Sequence, residues 1–256
     1  LGGDCHACVQ ECKVLTGKVI VKGQVYIHQL YTDDTSSGDV YTLDYTVPFS
    51  QILDVDGVAD GTPCTAEVSV LSDIERCCLN AAGQNAAMEV ALKLLVQVQT
   101  YRCDTVKTVT DVYHRRYPLD AQTQELSLRT FMGTQRQNVT VQRSLELPST
   151  DLRQIVDVWV QPPSLVGRCE DGTVHLDGRM VVCMLVKDTE GMVSYYERPE
   201  DVRLELSGCC DSAMARATVC GVNYTTSDSH LELRVSLAVS ATLWQHRDCR
   251  VVSEVT

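Results

Sequence analysis

The chain has 256 residues and a formal net charge of −12 at neutral pH. That length suffices for two domains, each with its own core. So acidic a balance excludes nucleic acid as a partner, because phosphate binding needs a basic face, and it disfavours an anionic membrane surface.

The N-terminal stretch holds Cys5, His6, Cys8 and Cys12. Three thiols and an imidazole so close together are zinc-ligand types, but a closed zinc site draws further ligands from a distant turn, and no second CxxC exists. Disulfide bonding to a neighbouring chain is expected ahead of idle reduced thiols, with a metal site the third reading, and no cofactor is expected. The chain opens at Leu1 rather than Met, which fits a leader or an upstream segment, and no secretory signal is visible.

Val19–Tyr31 reads as a strand, with Gly23 as a bulge or a point of close approach. Asp33–Gly38 reads as a hairpin loop, and Asp56-Gly57 and Asp60-Gly61 as turns. The Ala-rich segment Ala81–Ala87 contains Gly83 and reads as a loop between strands. Beyond it Val90, Leu92, Leu94, Val96 and Val98 face one way, while Glu89, Lys93, Gln97 and Gln99 lie among those facing the other. Lys93 and Gln97 break this longest apolar run, so it does not span a bilayer.

Leu126–Phe131, Asn138–Leu147 and Gln154–Gln161 read as further strands. Ser149–Gln154, after Pro148, is the best helix candidate, at one turn. Asp171-Gly172 is a turn, and Asp188–Gly191 is a second hairpin loop. Leu231, Leu233, Val235, Leu237, Val239 and Leu243 share one face of a long half-buried antiparallel strand.

The chain also says the same thing twice. Residues 18–43 match residues 173–196, with Gly23 on Gly178, Leu30 on Leu185, and Asp33 and Gly38 on Asp188 and Gly191 across a two-residue deletion. Residues 89–112 match residues 232–255 without a gap. A repeat of this length sets the architecture: an all-β chain of two tandem antiparallel sandwich-like or barrel-like domains. The expected division is a cysteine-bearing arm at residues 1–12, a first domain at 13–117 and a second at 118–256. The second unit has strands ahead of its repeat core where the first has only residues 1–17. One unit is thus short of strands or borrows them, and an incomplete sheet has an edge that pairs.

Thirteen cysteines are far more than a chain of this size needs in order to fold, and an odd number leaves at least one unable to pair within the chain. The expected inter-subunit bonds use Cys5, Cys8 and Cys12, with Cys103, Cys169 and Cys249 as receivers. Cys77-Cys78 and Cys209-Cys210 are adjacent pairs, which in a strand point to opposite faces. The sequence has no HExxH, no nucleophile-elbow G-x-S-x-G and no glycine-rich phosphate loop, and its acidic turns lack the spacing of a calcium loop. The repeat preserves no Ser, His and Asp together, so an enzyme is not expected.

The order of pieces carries a resemblance. The strand VIVKGQVYIHQLY, an acidic hairpin, YTLDYTVPFSQILDVDG and a long alternating strand ending in VTDVYHRRYPL together resemble the SPOCS domain of endospore-forming clostridia. The segment LELPSTDLRQIVDVWVQPP resembles the link into a next copy. The resemblance implies a structural, self-assembling protein of the spore surface, made in the mother cell and deposited on the coat or an appendage. Its implied partners are further copies of itself and other spore-coat proteins. The alternative it implies is a non-polymerising adaptor in coat morphogenesis that docks a scaffold protein.

Overall fold

The computed structural model describes residues 2–32, 40–79, 85–102, 104–147, 152–227 and 229–256. Among them every regular element is a β-strand. In order these are β1 Gly2–Leu15, β2 Lys18–Thr32, β3 Val40–Asp54, β4 Cys64–Leu79, β5 Asn85–Thr100 and β6 Ala121–Glu146. Then follow β7 Leu152–Glu170, β8 Thr173–Asp188, β9 Val193–Ser207, β10 Ser212–Ser227 and β11 His230–Val255. The sheets run β1-β2-β3, β4-β5, β7-β8-β9 and β10-β11-β6, and every ladder is antiparallel.

The repeat accounts for this layout. β1 to β5 correspond in order to β7 to β11. The turns that follow β1 and β7 place Gly17 and Gly172 at φ of 74° and 77°, a region that glycine enters without steric cost. Gly23 on β2 and Gly178 on β8 sit beneath a neighbouring strand. A Cβ at Gly178 would come within 2.6 Å of the Ser164 carbonyl, and one at Gly23 would strike the Cys8 carbonyl and lie 2.6 Å from the Phe49 ring. Each glycine lies where the partner strand shifts register, between Val9 and Glu11 on β1 and between Gln161 and Ser164 on β7. A bulge bends its strand and deepens its twist, which brings the backbones close. β4 and β10 share a second bulge, at Leu71 and at Cys220.

Three expectations come out differently, and two more fall wholly or partly outside the described residues. The N-terminal arm is a strand, because Asp4–Leu15 pairs along β2 and so satisfies its backbone. Leu126–Phe131 and Asn138–Leu147 are parts of one strand, β6, which follows β11 over its full length. Leu152–Gln154, expected at the end of a helical turn, begins β7, and residues 148–151 lie outside the described residues. The Asp33–Gly38 loop also lies outside them, as does 81–84 of the Ala-rich segment, whose remainder opens β5.

The core is concentrated in the second unit. On β11, Leu231, Leu233, Val235, Leu237, Val239, Ala241 and Leu243 are 0–4% exposed. They pack against Val174, Leu176, Met180, Val182, Met184 and Val186 of β8, with Val141 and Leu145 of β6 closing the side. At this side β6 reaches β9: Arg143 Nη2 donates to the Asp201 carbonyl at 2.5 Å, and Arg198 Nη1 donates to the Glu146 carbonyl at 3.3 Å. The first unit has a smaller core of Val14, Val19, Val21 and Val58, with Phe49, Leu53, Val96 and Val98 packed around it.

Candidate functional site

The difference between the units is one strand. β11 lies between β10 and β6, whereas β5 pairs only with β4 among the described residues. In β5 the residues matching the buried face of β11 are Met88, Val90, Leu92, Leu94, Val96 and Val98. Every one of them is only half-buried. On the facing sheet Tyr41, Leu43, Tyr45 and Val47 of β3 are exposed. The same alternation that makes a closed core in one unit therefore leaves a half-covered apolar face in the other.

The segment after β5 tells the same story. Residues 101–112 align without a gap on 244–255 of β11, yet 101–117 form no strand among the described residues. In the second unit those residues pair with Ala121–Phe131 of β6. Single backbone bonds take the place of a ladder here: Tyr101 N donates to the Pro63 carbonyl at 2.8 Å, and the Val109 carbonyl accepts from Val252 N of β11 at 2.7 Å. Val106, Val109, Tyr113 and Tyr117 on this segment are exposed. Tyr101 anchors its start, stacked at 4.1 Å on Phe131 and edge-on to Trp244, whose ring also meets Phe131 edge-on and carries the Arg129 guanidinium at 4.1 Å.

The two units meet where β1 and β2 face β7 and β10. His28 Nε2 is 2.9 Å from Asp157 Oδ2, and His28 Nδ1 is 2.6 Å from Asp44 Oδ1. Asp157 is 3% exposed, so its charge needs this partner. The hydrogen bond to Asp157, helped by that to Asp44, outweighs burial and raises the His28 pKa to about 9. Nearby, the His6 ring bonds to the Val219 carbonyl, and Arg216 Nη1 lies 3.0 Å from Glu67 Oε2.

The expected cysteines are dispersed over this framework. The pleat of β1 sends Cys5 to the face opposite His6 and Cys8. Among the described residues no three His, Cys, Asp or Glu side chains converge as metal ligands would. Cys8 is buried against Tyr26 and Cys220, and Cys12 lies against Cys64. Cys169, expected as a receiver for another chain, is bonded to Cys210 of its own chain, because the end of β7 lies beside the start of β10, where Gly167 packs on Ala213. Cys249 is half-buried on β11, with its thiol toward the Leu126 carbonyl at 3.6 Å. Cys209 is exposed. Cys103 and the side chains of Cys77 and Cys78 lie outside what is described.

Sequence reading missed Cys64, Cys220, Asp157 and Arg136, all of which come to the β1 junction from far along the chain. The repeat held a signal for one of them. Cys12 stands just before the turn glycine Gly17, as Cys169 stands just before Gly172, so Cys12 has the same need for a partner across the corner.

Residues 1–78 match the family model described as SipL, SPOCS domain. The match takes in β1 through nearly all of β4, so the cysteine-bearing strand is part of the matched domain. Neither the comparison with curated proteins nor that with solved structures produced a match. On this match, residues 1–78 carry a SPOCS domain.

Proposed function

We propose that the protein is a structural subunit of the bacterial endospore surface, in a coat layer or an appendage filament, and that copies join when a strand of one is added to the β5 edge of another. The SPOCS match points to a role in sporulation. The observation that carries the assembly reading is the contrast between β5 and β11. One repeated strand has a long outer partner and a buried face, and the other has, among the described residues, an open edge, a half-buried face and a continuation at 101–112 that forms no strand. Strand addition satisfies the open backbone and covers the half-buried face in one event. The strand that fits has the alternation of β6, in which Val139, Val141 and Leu145 face inward. Cysteines outside the internal pairs then lock the joint, with the exposed Cys209 and the half-buried Cys249 best placed.

The test is gel filtration and electron microscopy of the purified chain over a range of concentrations, with and without reductant. A synthetic peptide of residues 121–146 serves as competitor. Assembly that grows with concentration and is capped by excess peptide supports the proposal. A chain that stays monomeric at every concentration but binds the peptide is the adaptor described above, open to a different protein's strand. A monomer that ignores the peptide overturns the open-edge reading altogether.

A further inference from the structure

Two cysteines of β1 face cysteines of the same chain. Cys12 Sγ lies 2.6 Å from Cys64 Sγ, inside the contact distance of two unbonded sulfurs. Cys8 and Cys220 line one cleft together with Tyr26, whose hydroxyl is 4.0 Å from the Cys8 thiol. The first pair joins β1 to β4 within the first unit. The second joins β1 to β10 and so ties one unit to the other.

The repeat gives an independent reason for the first pair. Cys12 stands opposite Val21 on β2, and Gly167 stands opposite the matching residue, Leu176, on β8. Cys64 stands opposite Thr100 on β5, and Ala213 stands opposite the matching Leu243 on β11. Gly167 and Ala213 therefore occupy the places of Cys12 and Cys64, and they also touch. A Cβ on Gly167 would lie 3.0 Å from the Ala213 Cβ. Two residues further along β7, the same corner is closed by Cys169–Cys210. Both units thus bring these two strands together at one place and put sulfur there.

The second pair follows from the bulge. Cys220 is the extra residue that the β10–β11 ladder skips, and a bulged residue is re-aimed out of the ladder. Its counterpart on β4, Leu71, is 55% exposed. Cys220 instead points across the junction, where β1 presents Cys8. A cleft of about 600 Å³ between the units is lined by Cys8, Tyr26 and Cys220, so a small oxidant reaches this pair.

We propose that in the oxidised protein Cys12 is bonded to Cys64 and Cys8 to Cys220, which makes β1 an internal staple between sheets and between units rather than a link to another subunit. The oxidant is a low-molecular-weight disulfide. One protein thiolate attacks a sulfur of that disulfide and expels the first small thiolate, leaving a mixed disulfide on the protein. The partner cysteine gives its proton to water, attacks the protein-side sulfur and expels the second small thiolate. Two protein thiols become one disulfide, and one small disulfide becomes two thiols. Each pair holds a thiol suited to the first step. The Cys12 hydrogen bond, with the Arg136 charge, lowers the Cys64 thiol against burial, and hydrogen bonds from Cys8 and Tyr26 lower that of Cys220.

The experiment mixes equal amounts of ordinary and ¹⁵N-labelled full chain, oxidises them with glutathione disulfide, blocks remaining thiols and maps linked peptides by mass spectrometry. Peptides joining Cys12 to Cys64 and Cys8 to Cys220, each of a single isotope, are expected, with Cys209 and Cys249 found blocked or in mixed-isotope links. Cys64→Ser should leave Cys12 blocked and the Cys8–Cys220 link intact. If that variant fails to fold, the wild-type map still decides. Cys8 or Cys12 recovered in mixed-isotope links, or fully blocked after oxidation, overturns the assignment, and a single missing pair overturns that pair.

Discussion

At His28 one imidazole meets carboxylates from two units, Asp44 of β3 and Asp157 of β7. A histidine whose pKa is raised in the folded state stabilises that state fully below its unfolded value of about 6.5 and loses the contribution as pH climbs through the folded value. With the folded value near 9, the junction should loosen between roughly pH 6.5 and 9. His28→Gln should lower the melting temperature most near pH 6, by an amount equivalent to about 2 kcal/mol, and the gap to wild type should close above pH 9. A gap that stays constant across that range would show that His28 acts by packing alone. Two glycines give a sharper steric test. Gly178→Ala drives a methyl against the Ser164 carbonyl and Leu165 and should cost about 2 kcal/mol or more in denaturant unfolding, whereas Gly221→Ala, with open space around its Cβ, should fall within about 0.5 kcal/mol of wild type.

At the scale of strands, alternation in the sequence marked the face of each element but not how well that face is covered. β5 and β11 have the same pattern, and only the presence of β6 separates a half-buried face from a closed core. Leu233→Ala, at a side chain 1% exposed, should cost about 3 kcal/mol. Its counterpart Val90→Ala should cost about 1 kcal/mol or less in the isolated chain, and should weaken assembly instead. Equal losses at the two positions in urea melts would mean that the β5 face is already covered. β6 was the element least legible in advance. Its apolar residues cluster at both ends and the polar run Gln135–Asn138 divides them, so it read as two short strands. Its length follows from pairing with β11, which is a tertiary fact.

For the whole molecule, unequal packing implies unequal stability. Hydrogen exchange should find β8 and the proximal half of β11 the slowest, with β3, β5 and residues 101–117 exchanging orders of magnitude faster. Uniform protection across both units would contradict the open first unit. If the Cys8–Cys220 link forms, reductant should speed exchange at β1 more than at β8, because β1 is held to the second unit by side chains while β8 is held by its own core. The all-β class, the duplication and the inward residues of β5 and β11 were written in the sequence by itself. They depend on period-two alternation and on backbone conformations that only a few residue types tolerate, and both are local properties. The cysteine partners, the His28–Asp157 pair and the empty place beside β5 were decided only by the tertiary structure. Cys8 and Cys220 are brought together by a β1 strand that folds back onto its own sheet and a bulge on β10. No spacing along the chain encodes that meeting, which arises when two similar units pack against each other with one strand fewer than symmetry would give.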